Sequence, residues 1–202
     1  MAGPLLQGCN SEGSIPRAGN SAVVSQGSSR SLPKPRQTDA AGRKLPFETK
    51  FHRRWSRANS GTEYEPCTAL DSGTLQSLGV DPVSAEDAAG TDGQTLRGCR
   101  WQFQANDAAI RWTLMQFVGN SPSLNEDKRL KSTSHDIWLP DVRMAGRTVG
   151  VHRTTNNRDC DTYVQSGDAA VNTMVRNHGR PAATPEEICE RALAFTRATI
   201  EE

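Results

Sequence analysis

Residues 160–175 read CDTYVQSGDAAVNTMV, and this stretch decides the fold class. β-branched residues occupy every second position on both sides of the segment Ser166-Gly167-Asp168, which is rich in turn-forming residues. The alternating residues are Thr162, Val164, Val171, Thr173 and Val175. A period of two around a glycine turn predicts a β-hairpin with one face buried.

Further strands are predicted on the N-terminal side of this hairpin. Residues 142–151 alternate in the same way around Ala145-Gly146, which predicts a second hairpin. Residues 99–103 and 110–117 also alternate, and Trp101 and Trp112 lie at positions that favour burial in the core. Several short strands with tight connections indicate an antiparallel sheet, because parallel strands need long crossovers.

Helices are predicted at both ends of the strand region. Thr184, Pro185 and Glu187 form a capping box that begins a helix with a regular apolar face. A short helix is predicted before Gly79, with Asp71 or Ser72 as its N-cap, and a helical turn at 124–130. We therefore expect an α+β fold: an antiparallel sheet covered on one side by a short N-terminal and a longer C-terminal helix.

Charge divides the chain of 202 residues into two parts. Residues 10–60 carry ten Lys and Arg against three Asp and Glu, whereas residues 61–202 carry 14 against 20. The predicted organisation is a disordered basic linker over 10–60, rich in Ser, Pro and Gly, followed by a single domain over 61–202. Within the linker, residues 45–57 combine aromatic and basic residues, which fits docking on the domain, contact with anionic headgroups, or a solvated arm. An acidic domain disfavours nucleic acid as a partner.

Four cysteines, Cys67, Cys99, Cys160 and Cys189, lie at or near the boundaries of the predicted elements. No Cys or His pair has the spacing of a zinc site, so we expect no metal, no cofactor and two disulfides. Four cysteines allow three pairings, of which Cys67 with Cys99 and Cys160 with Cys189 are favoured because each partner follows in the next local unit. Each loop encloses about 30 residues, worth roughly 3–4 kcal/mol of stability. Disulfides favour a location outside the cytoplasm.

A fifth cysteine, Cys9, follows Leu6-Gln7-Gly8 in a pattern similar to a bacterial lipobox. Residues 1–9 are predicted to be the end of a lipoprotein signal peptide whose start lies upstream of Met1, with Cys9 as the lipid anchor. Two acyl chains on this cysteine satisfy the condition for stable membrane attachment. A chance match of four residues is the alternative.

These motifs together resemble a known family of mycobacterial- and nocardial-type envelope lipoproteins, catalogued as DUF3558, a domain of unknown function. The resemblance covers about residues 64–200 and is carried by five short motifs in this sequence. They are Glu65-Pro66-Cys67-Thr68-Ala69-Leu70, Leu75 with Leu78-Gly79, Gly98-Cys99-Arg100-Trp101, Gly146-Arg147, and the cysteines Cys160 and Cys189. The family implies a lipid-anchored location outside the cytoplasm and supplies no activity.

Catalytic motifs with a fixed spacing, such as G-x-S-x-G, G-x-x-x-x-G-K or H-E-x-x-H, do not occur in the sequence. His135 beside Asp136, and His152 with Asp159 or Asp161, are the pairs that a suitable fold could assemble into an acid-base site. Trp138, two residues before Pro140, is predicted to lie in a loop, which makes it a better candidate for an exposed contact than Trp101 or Trp112.

The sequence therefore favours a non-enzymatic binding or interaction module on the outer face of the plasma membrane. Its partners are expected to be the membrane, through the lipid, and an unidentified envelope protein or lipid. An apolar groove or patch on the open face of the sheet, without convergent titratable groups, would distinguish this hypothesis. The alternative is a small envelope hydrolase that uses His135 or His152, which requires one of them in a cleft near a Ser or a carboxylate.

Overall fold

The computed structural model describes residues 34–104, 111–179 and 183–201. The elements in chain order are α1 (Pro66–Ala69), α2 (Ser72–Ser77), a 3-10 turn (Pro82–Ser84), β1 (Glu86–Asp87), β2 (Arg97–Gln102), β3 (Trp112–Gly119), α3 (Leu124–Leu130), β4 (Asp136–Met144), β5 (Arg147–Thr154), β6 (Asp159–Ser166), β7 (Ala169–Asn177) and α4 (Pro185–Glu201). The predicted α+β class is confirmed.

The strands form one antiparallel sheet in the order β1-β2-β3-β7-β6-β5-β4. Both predicted hairpins are present, β4-β5 and β6-β7. Ala145 and Gly146 have φ values of 46° and 77°, so the first hairpin turns where the sequence predicts. β7 pairs with β3 as well as with β6, and this non-local pairing joins the two halves of the sheet into one.

α4 packs against one face of the sheet, on β6 and β7. Its capping box is formed: the Thr184 amide donates to Glu187 at 2.9 Å, and the Glu187 amide donates to the Thr184 hydroxyl at 3.2 Å. Ile188, Ala192 and Phe195 are buried, and Phe195 contacts Trp101 with the ring centroids 5.7 Å apart. The predicted apolar face of this helix therefore covers the main core.

Two disulfides tie the helices to the sheet. Cys67 in α1 is bonded to Cys99 in β2, and Cys160 in β6 is bonded to Cys189 in α4. All four cysteines are at most 7% exposed. The favoured pairing is the one that the structure contains.

The packed region begins earlier in the chain than the predicted boundary at residue 61. Residues 34–60, which we call the N-terminal arm, fold against the domain; residues 1–33, including Cys9 and residues 10–33 of the predicted linker, lie outside the described residues. Leu45 in this arm belongs to the main core, and Arg54 is 2% exposed. For residues 45–57, docking on the domain is thus the interpretation that the structure supports.

Candidate functional site

The face of the sheet opposite α4 carries a row of five directly paired residues. It runs from β2 to β5 through Gly98, Phe117, Asn172, Tyr163 and Gly150. Side chains alternate between the two faces of a strand, so these residues point away from α4. The three central residues of the row, Phe117, Asn172 and Tyr163, form the floor of a groove.

α3 forms one wall of this groove and covers part of the second face. Its N-cap Ser123 accepts a hydrogen bond from the Glu126 amide at 3.2 Å. Leu124 at the start of α3 packs over Gly150, and a Cβ atom at Gly150 would collide with its side chain. The absence of a side chain at Gly150 therefore lets α3 lie close to the sheet.

The opposite wall comes from the arm and from the loops that precede β2 and follow β3. Ala58, Thr95, Leu96 and Asn120 line this side. The amide of Asn120 donates to the carbonyl of Ala58 at 2.8 Å, which fixes the arm against the end of β3. The space between the two walls, which we call the α3 groove, measures about 460 Å³ and lies in the size range of ligand pockets.

Polar groups stand beside the aromatic rings of the α3 groove. Lys131, just after α3, places its Nζ 4.6 Å from the centre of the Tyr163 ring and 3.4 Å from an Asp161 carboxylate oxygen. Asp127 accepts a hydrogen bond from the Ser121 hydroxyl through Oδ1 at 2.9 Å. Burial raises the pKa of the Asp127 carboxyl. The groove thus combines an apolar floor with a few fixed polar atoms.

His152 is the histidine that the structure places beside carboxylates. Its Nε2 lies 2.8 Å from Asp136 and its Nδ1 lies 3.4 Å from Asp161, and the residue is 1% exposed. Burial lowers the pKa of His152, but the hydrogen bonds to Asp161 and Asp136 outweigh it, and the net pKa is raised. Hydrogen bonds from Thr133 and His152 lower the pKa of Asp136 to about 2.

This pairing leaves His152 without a ring nitrogen free for a substrate. An imidazolium that donates to two carboxylates holds β4, β5 and β6 together. His135 is exposed, and Asp159 accepts hydrogen bonds from Thr154 rather than from a histidine. Among the residues that the structure describes, no cluster of His, Cys, Asp and Glu is arranged to hold a metal ion.

Three of the four tryptophans lie in strands, either in the core or on the sheet face opposite α4. Trp101 and Trp112 are buried in the core, as expected. Trp138 lies in β4 rather than in the predicted loop, because the strand continues past Pro140 with an irregularity between Leu139 and Val142. It is half-buried, 5.0 Å from the His152 ring and 5.3 Å from the Tyr163 ring.

A buried ion network connects the arm to β2 and to the start of α1, and the sequence did not indicate it. Glu65 accepts hydrogen bonds from Arg54 at 2.7 and 2.8 Å and from Arg97 at 3.1 Å. Arg54 also donates to the carbonyl of Gly98 in β2 at 3.0 Å. The arginines and the glutamate are each at most 2% exposed. The run Arg53-Arg54-Trp55 is the feature of the sequence that could have indicated this network. Such a run is equally typical of an exposed basic segment.

The fold and site define a class: a disulfide-stapled α+β domain with a ligand-sized groove on the sheet face opposite its long helix. A family model described as "Protein of unknown function (DUF3558)" matches residues 4–202, and the chain belongs to this family. Comparison with curated proteins gave no match, and comparison with solved structures gave none. In the described part of the chain, no helix has the length and apolarity needed to cross a bilayer.

Proposed function

We propose that this protein is a non-catalytic binding module of an actinobacterial cell envelope. A lipid on Cys9 holds it on the outer face of the plasma membrane, and the α3 groove is its binding surface. The groove itself is the observation that carries the binding role, because it is ligand-sized and is lined by aromatic and polar side chains on rigid strands.

The location is supported by the cysteines. Disulfides persist in oxidising compartments and are rare in the reducing cytoplasm, and here two of them connect helices to the sheet. Cys9 follows a lipobox-like stretch, and residues 10–33 would serve as a spacer between the lipid and the folded domain. The net negative charge of residues 61–202 argues against nucleic acid as the partner.

The geometry of His152 argues against the alternative of a small hydrolase. His152 is buried and uses both ring nitrogens for Asp136 and Asp161. A general base must reach the proton it removes, and this imidazole has no free nitrogen to do so.

Two measurements on cells that express the chain with its native upstream sequence test the proposal. Intact mass and fractionation should show a membrane-bound, diacylglyceryl-modified protein, and Cys9→Ala should release it. A photoreactive amino acid at Thr95, on the groove rim, should give adducts that the same probe at Gln102, exposed on the same sheet face outside the groove, does not give. An unmodified cytoplasmic protein, or identical adducts at both positions, would contradict the proposal.

A further inference from the structure

Several oxygens in and beside the α3 groove are buried and accept no hydrogen bond from any described residue. Two belong to residues that line the groove: Oδ1 of Asn172 and Oδ2 of Asp127. Asn172 is 7% exposed. A buried acceptor without a donor costs about 1–3 kcal/mol, so these atoms are suited to a ligand that brings donors of its own.

Two more such oxygens flank Tyr163 on the same face of β6. They are Oδ1 of Asp161 and Oε1 of Gln165. Gln165 is held in place through its amide nitrogen, which donates to the carbonyl of Ser121, a groove residue, at 3.0 Å. Asn172 and Asp127 therefore present acceptors inside the groove, and Asp161 and Gln165 present two more beside it, an arrangement that favours several donors on one ligand.

The floor of the groove provides an apolar surface beside these acceptors. Phe117 is paired with Asn172, and Asn172 with Tyr163, so an amide lies between two aromatic side chains on adjacent strands. Leu96 and Gly119 continue the apolar surface next to Phe117. A ligand that fits this lining has a face of C–H groups and an edge of hydroxyl groups.

The charges of the groove favour a neutral ligand. Asp127 and Lys131 are four residues apart, carry opposite charges and both line the groove. Lys131 lies over the Tyr163 ring and near Asp161, where it would repel a cationic ligand. Asp127 and Asp161 repel an anionic ligand in the same way. Neutral hydroxyl groups are donors that neither the lysine nor the carboxylates repel.

We propose that the α3 groove binds a neutral saccharide, whose hydroxyl groups donate to Asn172 and Asp127 while a ring face packs on Phe117. This inference rests on the proposed function, since it names the ligand class of the same binding surface. It assigns Asn172 the role of a specificity-determining residue, because that side chain presents the buried acceptor in the middle of the floor.

The test uses the oxidised full chain, labelled with ¹⁵N, and soluble probes: neutral trisaccharides of glucose, galactose and N-acetylglucosamine, with spermidine as a cationic probe. We expect saturable shifts of groove amides with at least one neutral trisaccharide. Asn172→Leu should weaken this binding about tenfold, the equivalent of roughly one hydrogen bond. Gln102→Leu, which also replaces a side-chain amide with leucine but at an exposed position outside the groove, should leave it within twofold.

A second variant guards against a folding defect at the buried Asn172. Thr95→Trp places a large side chain on the exposed rim and should block the groove without disturbing the core. Saccharide binding that survives both variants, or spermidine binding without saccharide binding, overturns the saccharide inference. The absence of any saccharide binding also overturns it, and if groove-specific adducts at Thr95 still form in cells, the proposed binding function stands with another ligand class.

Discussion

Replacing Glu65 with glutamine removes the only negative charge shared by Arg54 and Arg97 in the described network. The carboxylate accepts three hydrogen bonds from the two guanidinium groups and lies at 1% exposure. Arg54 keeps Asp87, at 3.2 Å. Among the described residues, Arg97 forms an ion pair with Glu65 alone, so Glu65→Gln leaves its buried charge without a counterion.

The expected cost is about 3–5 kcal/mol, the usual result of removing one partner from a buried ion pair. This is a large share of a typical domain stability of about 5–15 kcal/mol. For a domain of this size it corresponds to a fall in Tm of roughly 6–20 °C. The arm contributes Arg54, so the loss should be accompanied by release of residues 34–60 and faster amide exchange there.

Urea denaturation followed by circular dichroism measures the free energy of unfolding, and hydrogen exchange measures the release of the arm. Glu63→Gln, two residues away and exposed, is the matched control and should change stability by less than about 0.5 kcal/mol. A loss below about 1 kcal/mol for Glu65→Gln, or a loss without faster exchange in the arm, would refute the view that this network docks the arm.

Three further changes have expected outcomes. The double variant Cys160→Ser with Cys189→Ser opens a loop of 29 residues and should lower the free energy of unfolding, measured by urea denaturation, by roughly 3–4 kcal/mol. A decrease under about 1 kcal/mol would contradict a stabilising role for this disulfide. Gly150→Ala should cost about 1–3 kcal/mol by pushing Leu124 off the sheet, whereas in Gly119→Ala the new methyl meets an ordinary contact and costs less. The raised pKa of His152 means that its stabilising contribution is complete below pH 6.5 and is lost as the pH rises through the folded-state pKa. Stability measured from pH 6 to 9 should therefore fall more steeply in the native protein than in His152→Gln, and parallel curves would contradict this.

The parts of the fold that local sequence determines were predicted correctly. The turn at Ala145-Gly146 and the capping box at Thr184 depend on neighbouring residues, and both formed as expected. The disulfide pairing followed from the order of the elements, because each cysteine bonds to the next one along the chain.

The lining of the groove and the extent of the docked arm depend on contacts between distant residues, so the sequence left docking of residues 45–57 as one of several interpretations and did not identify the groove residues. Phe117 and Tyr163 lie on one floor because β7 separates their strands, and that strand order is not a local property. Residues 34–60 lack helical or strand periodicity, and their burial depends on ion pairs such as Arg54 with Glu65. Composition alone made such a segment look like a linker.

The most direct test of the account labels the groove from outside the cell. Two variants are compared: Thr95→Cys, on the groove rim, and Gln102→Cys, outside the groove. Each is treated with a membrane-impermeant maleimide, both in intact cells and as purified protein. We predict that both react in intact cells, and that only Thr95→Cys reacts more slowly in cells than when purified, because its groove holds an envelope ligand. Labelling only after lysis would contradict the extracellular location, and equal protection at both positions would contradict a binding role for the groove.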